Sequence, residues 1–94
     1  MASIRRIKSD IDYLANEVIS DCYMALYFNP EEKRSEIIAV IEETVAFRNE
    51  MIYKANHPAE KHNPSLVRKH YAQMRRDIMA RIDGLFSKLS EICK

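Results

Sequence analysis

Four side chains, His57, Glu60, His62 and His70, are the ones in this chain best suited to chemistry, because imidazole and carboxylate are proper ligands for a divalent metal. Three of them sit in the run His57-Pro58-Ala59-Glu60-Lys61-His62. Zinc proteases place two histidines one helical turn apart with a glutamate beside the first, and the inverted form reads His-x-x-Glu-His. Lys61 and the two flanking prolines break both patterns. On a helix that begins at Pro64, His70 lies roughly 10–14 Å from the loop, so sharing one metal would need the loop to fold back. Capping and surface hydrogen bonding is therefore the expected work of these residues. No intrinsic metal or other cofactor is expected.

Other catalytic constellations fail on spacing. Helical ribonucleases keep Arg and His closer together than the eight residues that separate Arg48 from His57. His70 is followed by Tyr71-Ala72-Gln73-Met74, which lacks the Lys-Gly that follows a phosphotransfer histidine. The Glu-x-x-His pairs of helical di-iron proteins are missing, and a single glycine cannot build a phosphate-cradling loop. Cys22 and Cys93 are far apart in sequence, and two cysteines make no disulfide framework. An enzyme is the least favoured reading.

Arg68, Lys69, Arg75 and Arg76 form a basic patch at the start of the third predicted helix, which would suit phosphate. Asp77 and Asp83 stand close by and no aromatics interleave for base stacking, so a solvated face partly paired with the acidic second helix is favoured. Arg48 falls in the middle of an apolar arc beside Thr44, and a charge there needs a partner. A buried ion pair with Asp10, Asp12 or Asp77 is expected.

The elements that must position these groups are helical. The stretch 29–56 has Asn29 as a capping residue, Pro30 at the first helical position and Glu32 as a capping-box partner, and Pro58 ends it. Its apolar residues spread over an arc of about 180°, wider than one neighbouring helix covers. Residues 3–28 carry Ile4, Ile7, Ile11, Leu14, Val18 and Cys22 at spacings of three and four. Arg5, Arg6 and Lys8 oppose the helix dipole, so fraying before Ser9 is expected. Tyr23, Met24 and Tyr27 project away from this stripe, which points to an oligomer interface. Asn63 and Pro64 repeat the cap-then-proline device and open a third helix over 64–92, in which Gly84 suggests a close helix–helix approach.

At 94 residues and a net charge of +1, the chain makes one domain, and a polybasic, nucleic-acid-coating protein is disfavoured. No apolar run reaches the ~20 residues that a bilayer needs, and no hydrophobic segment leads the sequence, so no membrane partner and a cytoplasmic location are expected. The runs Ile19-Ser20-Asp21-Cys22-Tyr23, Ala55 through Asn63, and Lys69-His70-Tyr71 resemble a family of small, all-helical bacterial proteins without an assigned activity. That resemblance covers nearly the whole chain and implies a compact helical domain, with nothing about substrate or partner. The sequence therefore predicts an all-α, antiparallel up-down-up three-helix bundle. Its expected role is a protein–protein interaction module that self-associates as a homodimer, with nucleic-acid binding through the basic face as the alternative.

Overall fold

Ile37, Val40, Thr44, Phe47, Met51 and Ala55 recur at intervals of three and four residues, and all six are shut away from solvent. They form the inner row of helix α2 (Arg34–Asn56), which is packed between α1 (Ile4–Phe28) and α3 (Pro64–Ile92). The computed structural model describes residues 4–58 and 62–94. Over those residues the chain is an antiparallel, up-down-up bundle of three long helices, 52 × 18 × 17 Å in extent, with no strand.

The inner row of α2 is covered by its two neighbours. Ile7, Ile11, Val18 and Cys22 of α1 close one side of it, and Met74, Ile78, Ile82 and Leu85 of α3 close the other. Thr44 is the polar member of the core, and its hydroxyl donates to the Val40 carbonyl at 2.7 Å, so the buried oxygen has a partner. Ile38 and Val45 lie outside this sandwich and stay partly exposed.

The start of α1 departs from expectation. It is helical from Ile4, and Ile7 is 1% exposed. A dipole penalty of about 0.3–1 kcal/mol for nearby cations is smaller than the roughly 1.5–3 kcal/mol gained by burying an isoleucine, so packing holds the basic turn in place.

The first junction is also built differently. Asn29 does not cap α2. Its side-chain amide donates to the Ala25 carbonyl at 2.8 Å and its backbone N–H donates to the same oxygen at 3.0 Å, so it closes α1 instead. Pro30 is extended (φ −62°, ψ 153°), a single 3-10 turn follows at Glu31–Lys33, and α2 starts at Arg34 with no side-chain cap. Proline fixes φ but leaves ψ free, and here ψ opens a turn before the helix. The second junction is as expected: the Asn63 side-chain oxygen accepts from the N–H groups of Ser65 (3.1 Å) and Leu66 (3.3 Å), with Pro64 at the first helical position.

Arg48 has the expected kind of partner but not the expected burial. Its Nε donates to Asp12 Oδ1 at 2.6 Å, and its side chain is 42% exposed. The residue lies on the rim where α2 meets α1, so its stem covers the seam while the guanidinium reaches water. Gly84 marks no close approach, because a Cβ built there meets nothing within 4 Å.

Two outcomes follow for stability. Gly84→Ala should stabilise the fold by about 0.5–1 kcal/mol, since the open site accepts a methyl group and the unfolded chain loses freedom. Arg48→Ala should cost no more than about 1 kcal/mol, the range of a half-exposed ion pair. Thermal and urea unfolding followed by circular dichroism check both, and a Gly84→Ala variant that melts earlier than the parent would contradict the first.

Candidate functional site

The last turn of α2 leaves carbonyls that no N–H of the helix satisfies, and side chains from three positions reach three of them, the Lys54 carbonyl accepting also from the His57 backbone N–H at 3.3 Å. His57 Nδ1 lies 2.8 Å from the Tyr53 carbonyl oxygen, with its ring stacked on the Tyr53 ring at 4.1 Å between centroids. His70 Nε2 lies 3.0 Å from the Lys54 carbonyl oxygen. The Tyr71 hydroxyl donates to the Ala55 carbonyl at 2.9 Å, and burial pushes its ionisation above the ordinary range, so the phenol keeps the proton it donates. Each histidine nitrogen that faces a carbonyl must carry a hydrogen to make its bond.

Two of the three histidines singled out from the sequence are therefore helix caps. The third, His62, is exposed, and Glu60 lies outside the described residues. Among the described residues no group of three His, Cys, Asp or Glu side chains is placed to hold a metal ion. Tyr71 was legible in the sequence only as a core residue, and its capping role depends on α3 starting level with the end of α2.

Arg68, Lys69, Arg75 and Arg76 are all exposed on the first half of α3. Arg76 donates to Gln73 at 2.8 Å, and Gln73 donates to Asp77 at 2.9 Å. The expected pairing of this patch with α2 is not made. Arg81 and Lys88, farther along α3, reach Glu50 (3.1 Å) and Glu43 (2.7 Å) instead, because they project from the side of α3 that adjoins α2. Burial raises the Glu50 carboxyl, but hydrogen bonds and charge from Arg81 and Lys54 outweigh this and hold it below its ordinary 4.5. A lowered folded-state value means that this contribution to stability is present above pH 4.5 and fades as pH falls below it.

The bundle also sorts charge by end. At the end where α1 and α3 begin, residues 4–15, 47–58 and 62–77 carry nine Lys and Arg against four Asp and Glu, a formal +5. At the opposite end, residues 16–46 and 78–94 carry five against nine, a formal −4. Arg5 and Arg6 thus stand at the same end as the basic patch of α3, and Glu31 and Glu32 stand at the other.

The outer face of α1 is aromatic. Tyr13, Tyr23, Met24, Tyr27 and Phe28 are between 59% and 83% exposed. The interface residues expected from the sequence, Tyr23, Met24 and Tyr27, are among them, whereas Tyr13 stands apart from the apolar run 22–28 that pointed to them. Met24 and Phe28 also line a shallow groove of about 490 Å³ between α1 and α3, closed by Phe86, Leu89 and Cys93.

Comparisons with protein-family models, with curated proteins and with solved structures found no match to this chain.

Replacing Tyr71 by Phe should cost about 1–2 kcal/mol, because the Ala55 carbonyl is then left without its buried donor. Urea unfolding of the variant beside the parent measures this. Burial, with Asp21 and Cys93 nearby, pushes the Cys22 thiol up from 9.0 to about 11, while Cys93 is exposed. A thiol reagent at pH 8 should therefore modify one cysteine in the folded protein and two in denaturant. A raised folded-state value also means that the contribution of the neutral Cys22 is intact below pH 9.0 and lost as pH rises through about 11.

Proposed function

We propose that this protein is a small helical protein–protein interaction module that self-associates. The observation that carries the reading is the outer face of α1, where five large aromatic or thioether side chains stand in water although the bundle has an apolar core to receive such groups. Tyr23, Met24, Tyr27 and Phe28 stand together at the end of α1, with the Tyr27 and Phe28 rings 5.0 Å apart, and an exposed apolar patch of this kind commonly marks an interface. No inward requirement of the fold explains them. α1 would keep its core row Ile7, Ile11, Val18 and Cys22 with any polar residues at those positions.

A second reading, binding of a nucleic acid, is favoured by the gathering of Arg5 and Arg6 with Arg68, Lys69, Arg75 and Arg76 at one end of the bundle. Such a surface would act on phosphates, with affinity falling steeply as salt rises.

Sedimentation velocity at protein concentrations up to about 100 µM separates the two, because surfaces of modest area associate in the micromolar range. A dimer mass that depends on concentration is the outcome expected of the first reading. A monomer at every concentration, together with a salt-sensitive shift of RNA or DNA in a gel, would replace the first reading by the second.

A further inference from the structure

On the outer face of α1 the residues Tyr13, Asn16, Ser20, Tyr23 and Tyr27 follow one another at intervals of three, four, three and four. That spacing is the seam of a two-stranded coiled coil, and it runs down the side of α1 opposite the core row of Ile7, Ile11, Val18 and Cys22. No charged residue falls on it. All five are outside the buried core. The composition, tyrosine with serine and asparagine, gives broad contact area at a low cost in side-chain entropy.

The second copy of the chain is the occupant that fits this seam, and the charge distribution says which way round. A parallel pair would set +5 against +5 and −4 against −4. An antiparallel pair sets each basic end against the other copy's acidic end over the whole 52 Å of the rod. We propose that α1 pairs with α1 of a second copy in an antiparallel homodimer whose two-fold axis passes level with Val18. This rests on the self-association reading and supplies its geometry.

The register follows from the pattern. With the axis at Val18, Tyr13 faces Tyr23 of the second copy and Asn16 faces Ser20, so ring meets ring and small polar residue meets small polar residue. Arg5 then lies at the end of the second copy's α1, which the acidic turn Glu31–Lys33 follows. Ile38 and Val45 extend the apolar surface beside the seam. They share a side of α2 with Arg48, and the Arg48–Asp12 pair shows that this side adjoins α1.

Disulfide trapping tests orientation and oligomeric state separately. On a Cys93→Ser background, Tyr13→Cys mixed with Tyr23→Cys should cross-link on mild oxidation, and Asn16→Cys mixed with Ser20→Cys likewise. Tyr27→Cys alone should not, because its two copies lie roughly 27 Å apart along the antiparallel pair, far beyond the reach of a disulfide. Self-linking of Tyr27→Cys without the Tyr13–Tyr23 link would overturn the antiparallel arrangement while leaving self-association standing. A monomer in sedimentation would sink both, and so would a basic end that binds nucleic acid as a monomer. Tyr23→Glu lies on an exposed position, so its helix content should match the parent by circular dichroism while its dimer affinity falls at least about tenfold. The wild-type dimer should also weaken between about 50 mM and about 500 mM salt, and an affinity unchanged over that range would remove the charge argument.

Discussion

The inner row of α2 must be covered on two sides, and from that constraint most of the molecule follows. Two helices that both run antiparallel to α2 run parallel to each other, so α1 and α3 begin at one end of the rod and finish at the other. Chain segments far apart in sequence are thereby made neighbours by direction alone. The basic first turn of α1 meets the basic first half of α3 at one end, and the acidic turn after α1 lies at the other. A net charge of +1 conceals this separation.

The energetics are those of a small bundle, in which each contribution is modest. A chain of this size buries only about 60–65% of its unfolded surface, so the caps count. Side chains supply these where the backbone runs out of partners: Asn29 closes α1, Asn63 opens α3, and His57, His70 and Tyr71 take the last carbonyls of α2. Of the histidines that suggested chemistry, His57 and His70 do this work. Imidazole suits the task because a ring nitrogen can donate while the ring stacks, as His57 does on Tyr53.

The all-α class, the three helices and the bundle topology were legible because apolar residues recur at helical spacing over more than twenty residues in each segment, and the cap-proline pair before α3 serves the helix that it precedes. The same pair before α2 misled, because Asn-Pro specifies a break without saying which helix the asparagine serves. Fraying at the start of α1 is what local charge alone would produce, and the burial of Ile7 overrules it. Arg48 was placed by periodicity at the centre of an arc whose rim it occupies, and periodicity alone does not say where neighbouring helices stop. Gly84 illustrates the reverse: a glycine in a helix invites a reason, and the space around it supplies none. The capping of α2 from α3 was beyond the sequence because it needs the relative height of two helices.

The bonds from His70 and Tyr71 to the end of α2 join the second and third helices independently of the chain that links them. The polypeptide between Asn56 and Asn63 is thus relieved of the task of positioning α3, which its first two turns accomplish for themselves. A longer connection there adds only a slowly growing closure entropy, so this is a place in the bundle at which evolution or an engineer can insert sequence while the arrangement of the helices is kept.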